Sequence, residues 1–197
     1  MKKSIFIILL LVLFGCSGHP TISPQPLKFG ETYQAITISY ESILPTYVFR
    51  VGVSDKTNIG LRIGLPIHGS GMDISKVLRV RKNKTEMINF AYTFSSNPSY
   101  DATYYKITQK NHKGIYTYWG LRGSYIPFGI SGNESKRVGL VLGYHQQGKW
   151  GYEIGYLHDV TTITFDDEII EDNLYGIPNE NSWQTGLSIR INFSINN

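Results

Sequence analysis

Five of the seven arginines, Arg50, Arg62, Arg79, Arg122 and Arg190, fall on the polar side of alternating apolar and polar stretches, together with Glu153 and Asp73. A guanidinium is permanently charged and presents five donors in a fixed plane. Gathered in one interior, such groups either draw anions into a pore or fork onto carboxylate and hydroxyl acceptors and fill the space. The interior of a small barrel is only wide enough for side chains to fill it, so a plug is the expectation and an anion-attracting pore the alternative.

Other reactive side chains are scattered. His145 shares the polar face with Glu153 on the next run, and His158-Asp159 sits at the outer end of the same hairpin. A hydrolase needs a nucleophile, a base within reach and an orienting group. Serines, histidines and acids are too common here for one set to stand out, so no catalysis and no catalytic residue is expected. The run Asp166-Asp167-Glu168-Ile169-Ile170-Glu171-Asp172-Asn173 offers oxygen ligands that could suit Ca²⁺, but lacks the glycine-punctuated spacing of a calcium loop. It reads as a solvated loop, with no metal and no cofactor. The fourteen tyrosines could stack on a sugar, but interfacial anchoring explains them better.

The elements that carry these groups read as strands. Over 57–66, Ile59, Leu61, Ile63 and Leu65 alternate with Asn58, Gly60, Arg62 and Gly64. Over 47–54, Tyr47, Phe49, Val51 and Val53 alternate with Val48, Arg50, Gly52 and Ser54, and the turn Asp55-Lys56 joins the two runs as a hairpin. The same code recurs at 114–125, 138–145, 150–157 and 183–193, and more weakly at 33–41, 71–81, 85–95 and 102–110. No stretch after residue 32 has a convincing helical period.

The composition of the polar face indicates which way it points. A solvated sheet would carry Lys, Glu, Thr and Ser there, whereas Gly weakens a strand. Gly, Ser, Asn and Arg instead suit a crowded interior. The apolar face is continuous, with Trp and Tyr towards the strand ends, as a lipid-facing band with aromatic girdles requires. Only a closed barrel lets a sheet pair all its backbone groups in hydrocarbon. Connections are short at 55–56, 82–84, 111–113 and 147–148, and mostly longer at 95–101, 127–136 and 163–182. The expectation is an all-β, antiparallel up-and-down barrel of about ten strands, transmembrane, with eight strands if 33–41 belongs to the preceding segment.

Residues 1–15 read as a signal peptide: Lys2 and Lys3, an apolar run from Ile5 to Phe14, then Gly15. That run is shorter than the roughly twenty residues of a spanning helix. Cys16 is the one cysteine, so no intramolecular disulfide can form. Residues 16–32, with three prolines, read as an extended tether without a core, and 33–197 as the barrel domain. Without Lys2 and Lys3 the formal charge drops from +4 to +2. That is too little to argue for nucleic acid, and no basic cluster stands out.

Leu13-Phe14-Gly15-Cys16 resembles the lipobox of bacterial lipoproteins, which implies cleavage before Cys16 and a lipid on its sulfur. Ser17 after the cysteine resembles the lipoproteins sorted to the outer membrane. The hairpin from Arg50 to Gly64 resembles those of small outer-membrane β-barrel proteins. From these resemblances follow an outer-membrane address, membrane lipid as a partner, and dependence on the barrel-assembly and lipoprotein-processing machineries. The expected role is structural or interactive. The alternative is a soluble, lipid-tethered, lipocalin-like or β-sandwich binder of a small apolar ligand, with the apolar face turned inward.

Overall fold

The computed structural model describes residues 25–39, 45–64, 70–94, 98–110, 114–127, 134–161 and 187–195. Cys16, the acidic run 166–173 and Trp183 lie outside them. Ten strands follow one another: β1 (Thr32–Ser39), β2 (Thr46–Ser54), β3 (Thr57–Gly64), β4 (Gly71–Arg81), β5 (Lys84–Thr93), β6 (Ser99–Lys110), β7 (Ile115–Ile126), β8 (Ser135–Gln146), β9 (Trp150–Asp159) and β10 (Leu187–Ser194). Each pairs antiparallel with its neighbours in sequence. β1 pairs with β10, from Ala35–Ser194 to Ser39–Arg190, and closes the sheet into a barrel. The 33–41 stretch is therefore a barrel strand, and the count is ten rather than eight.

One end of the barrel is made of tight turns and both strand termini. Gly148, at φ +69°, supplies the left-handed residue of the β8–β9 turn, where the Lys149 amide donates to the Gln146 carbonyl at 3.1 Å. Lys82 takes φ +40° in the β4–β5 turn without being glycine. The other end carries the longer connections.

The alternation resolves in one direction. Ile59, Leu61 and Ile63 are 45, 43 and 52% exposed, whereas Arg62 between them is 1% exposed and Gly64 is buried. The pattern holds round the wall, with Leu140, Leu142, Ile154, Ile189 and Ile191 outside and Asn89, Arg122, Glu153 and Arg190 inside. The inward-apolar arrangement that a lipocalin-like binder needs is the reverse of this one.

Glycine on the inner face makes room for long side chains. A Cβ on Gly60 would run into the Asp73 carboxylate, one on Gly71 into the Arg62 guanidinium, and one on Gly143 into the Tyr118 ring. The inward glycines thus weaken their strands locally but give the arginines and tyrosines their space.

Two expectations need correction. Arg79 does not face the interior. A bulge between Val77 and Arg79 inserts Leu78, so Val77 pairs with the buried Met87 while Arg79 pairs with Glu86 on the outside. One extra residue exchanges the two faces of a strand. The tether expected over 16–32 is not coreless to its end either. Gln25 and Leu27 are 8% and 4% exposed, and Leu27 clusters with Tyr33 and Ala35. The Gly30 amide donates to the Gly52 carbonyl at 2.8 Å, and the Gly52 amide to the Glu31 carbonyl at 2.9 Å. With its amide rotated to satisfy both groups, the Asn58 side chain donates to the Leu27 carbonyl at 3.0 Å and accepts from its amide at 3.3 Å. Because Gly52 and Asn58 face inward beside the Asp55-Lys56 turn, residues 25–31 form a strap across the short-turn mouth.

Candidate functional site: a charge-filled barrel interior

Two carboxylates organise the interior. Glu153 on β9 accepts from Arg122 Nη2 at 2.9 Å through Oε1, and from Arg190 Nη2 at 3.3 Å through Oε2. Arg122 also donates to the Tyr105 hydroxyl at 2.9 Å and, through Nε, to Thr103 Oγ1 at 3.1 Å. All three ionised groups are at most 1% exposed. Beside them lies an apolar cluster of Met87, Tyr105, Ile107, Tyr118 and Val141, in which the two tyrosine rings meet edge to face at 5.6 Å.

Asp73 on β4 organises the second group. Arg50 Nη2 donates to Asp73 Oδ1 at 3.0 Å and to Ser75 Oγ at 2.6 Å, and Asn89 Nδ2 donates to the same two acceptors at 2.8 and 2.9 Å. Arg62 Nη2 donates to Thr93 Oγ1 at 3.1 Å and to the Tyr92 carbonyl at 3.3 Å. Asp101 accepts from Ser99 Oγ at 3.2 Å, and Asp159 from Ser135 Oγ at 2.6 Å.

The charges balance. Among the described residues, four arginines (Arg50, Arg62, Arg122, Arg190) and four carboxylates (Asp73, Asp101, Glu153, Asp159) are buried. Sequence reasoning found Glu153 and Asp73 but missed Asp101, Asp159 and Asn89. The polar neighbours Ser99, Thr103 and Ser135 mark the inner faces that hold them. An isolated buried charge costs several kcal/mol, so permanent guanidiniums in a closed space must be matched one for one. With all eight groups ionised, the buried set has no formal net charge.

Two histidines, His145 and His158, lie among the described residues, and they stand apart. His145 is 1% exposed, with its ring edge-on to Tyr33 at 5.7 Å and tilted against Tyr116 at 6.5 Å. Neither ring nitrogen has a hydrogen-bond partner among the described residues, so His145 does not meet Glu153. His158 lies at the long-loop end, with Nδ1 3.5 Å from the Tyr156 hydroxyl.

Outside, aromatic side chains of the described residues gather at both ends. Tyr144, Trp150 and Tyr152 stack at 5.5 to 5.9 Å near the short turns. Tyr92 meets Phe94 and Tyr100 at 5.1 and 4.9 Å, and Tyr100 stacks on Tyr125 at 6.4 Å, near the long loops. There the Tyr125 hydroxyl donates to Glu134 at 3.2 Å, and Lys136, bonded at 2.7 Å, holds the Glu134 carboxyl below its ordinary range.

Comparison of the chain with known protein families, with curated proteins and with solved structures finds no significant match in any of the three.

Proposed function

We propose that this protein is a lipid-anchored outer-membrane β-barrel that spans the bilayer and serves a structural or interaction role, without catalysis. The observation that carries the reading is the inside-out distribution of side chains. Thirty large apolar residues are exposed on the described surface while four arginines and four carboxylates are buried. A soluble monomer rarely exposes a contiguous apolar patch beyond a few hundred Å². Strands of 8–12 residues, tilted as barrel strands are, rise about 25 Å, the height of a lipid-facing band. Aromatic clusters at both ends of the wall fit the two interfaces of such a band.

The matched interior favours a plugged barrel over an anion-attracting pore, and the strap over residues 25–31 adds a second closure. The lipobox-like Leu13-Phe14-Gly15-Cys16 supports lipidation at Cys16. Eight residues separate Cys16 from Gln25, a reach of at most about 30 Å. That suffices for a lipid in the leaflet at the short-turn end. The test is expression of residues 17–197, which lack both the signal and the lipidated cysteine. The reading predicts that this protein folds only in detergent or vesicles and resists alkaline extraction from them. A folded, monomeric protein in plain buffer would contradict it.

A further inference from the structure

The outer wall is not uniform. On β1, β2, β3, β7, β9 and β10 no lysine or arginine points outward, and β8 contributes Lys136, which is engaged by Glu134 at the long-loop end. All other outward strand cations lie on β4, β5 and β6: Lys76, Arg79, Arg81, Lys84, Lys106 and Lys110. The pairing draws them together. Arg79 stands opposite Glu86, Glu86 opposite Lys106, and Arg81 opposite Lys84. Glu86 is the single acid that shares this face among the described residues.

These cations occupy the short-turn ends of their strands. On β4 the outward series runs Met72, Ile74 and then Lys76, after which Arg79 and Arg81 are interleaved with the exposed Leu78 and Val80. β4 and β6 are also long, at 11 and 12 residues against 8 for β1, β3 and β10, so the basic part extends the wall at that mouth. The Leu78 bulge adds to the face by turning Arg79 and Arg81 outward. Above it lies Trp119, with the Lys106 ammonium 5.9 Å from its ring.

We propose that this β4–β6 face binds the phosphate-bearing headgroups of anionic phospholipids in the leaflet at the short-turn mouth. The proposal rests on the membrane-spanning reading above. Charge complementarity and position select the partner. The cations sit on the side wall, continuous with the apolar band, and long Lys and Arg side chains there reach the headgroup level while their stems stay against lipid. Clustered basic residues beside a membrane attract anionic lipid by an amount that salt screens.

Trp119 is a built-in reporter, made the sole tryptophan by Trp150→Phe and Trp183→Phe. The full chain is folded into equimolar phosphatidylcholine and phosphatidylglycerol vesicles in which one or the other lipid carries brominated chains. Brominated phosphatidylglycerol should quench Trp119 with an apparent association about threefold stronger than the choline lipid. High salt, or K76Q/R79Q/K84Q/K106Q, should bring the ratio to unity, while K76R/K84R/K106R should preserve it. Equal quenching by the two lipids, or a preference that survives the glutamine variant, would overturn this inference and leave the membrane reading intact. No quenching by either would overturn both. Equal quenching joined to charge-dependent retention on purified peptidoglycan would assign the face to the cell wall instead.

Discussion

Arg122 Nη2 and Glu153 Oε1 meet at 2.9 Å across the interior and tie β7 to β9 over the intervening β8. β8 places Gly139 opposite Arg122 and Gly143 opposite Glu153, so each charged group stands beside a position that has no side chain. Arg190 on β10 reaches the other oxygen of the same carboxylate. One acid thereby joins three strands that belong to two successive hairpins.

Removing that acid leaves two buried guanidiniums without their counter-charge. Glu153→Gln should destabilise the folded barrel by about 3–5 kcal/mol, read as a lower urea midpoint in vesicles. Replacing the three groups together, by Arg122→Met, Glu153→Leu and Arg190→Met, should recover most of the loss, because an apolar trio needs no partners. A single Glu153→Gln that unfolds like the parent would show that the ion pairs contribute little.

The inner glycines act as recesses for named side chains. Gly143→Val should cost about 1–3 kcal/mol, since the new methyls overlap the Tyr118 ring and force it off its rotamer. Pairing Gly143→Ala with Tyr118→Leu should restore most of the stability. Denaturant midpoints of the single and double variants check this.

The strap over 25–31 is held by the buried Leu27 side chain, a short set of backbone bonds and the Asn58 side chain. Leu27→Asp should release it, which makes the chain near Phe29 the first site of protease cleavage while the barrel still resists. The measurement is native-state proteolysis followed by mass determination. An unchanged cleavage pattern would contradict the role assigned to Leu27.

A charge on the outer wall should be felt according to depth. Leu140→Arg, in the middle of β8, should cost about 2–4 kcal/mol in vesicles, and Ile195→Arg, at the rim, at most about 1 kcal/mol. Similar costs at both positions would argue against a hydrocarbon environment.

Much of the barrel was legible because both faces of β2, β3, β9 and β10 are uniform in type over eight or more residues. Ile59, Leu61 and Ile63 against Gly60, Arg62 and Gly64 admit one register and one sidedness once closure is assumed. Arg79 was misplaced because nothing in Val77-Leu78-Arg79 marks a bulge, and a period-two pattern has no memory of an inserted residue. Asp101 was missed because it reads as the end of the 95–101 connection, whereas β6 already begins at Ser99, and Asp159 because it falls just past the 150–157 run, at the outer end of the hairpin. The strap was hidden because Leu27 follows two prolines in a stretch with few large apolar residues, and its partner Asn58 lies 31 positions away. The basic face is likewise invisible along the chain, since its members come from three strands and meet only through pairing.

The account stands on the outer wall facing hydrocarbon. In a Cys16→Ser background, single spin-labelled cysteines at positions 59, 61, 63, 140 and 142, and at the exposed turn position 56 as an aqueous reference, would be probed in the vesicle-bound protein with oxygen and with a water-soluble nickel complex. The account predicts oxygen-dominated relaxation at 59, 61, 63, 140 and 142, and nickel-dominated relaxation at 56. Access of the nickel complex to Leu61 and Leu140 would contradict it.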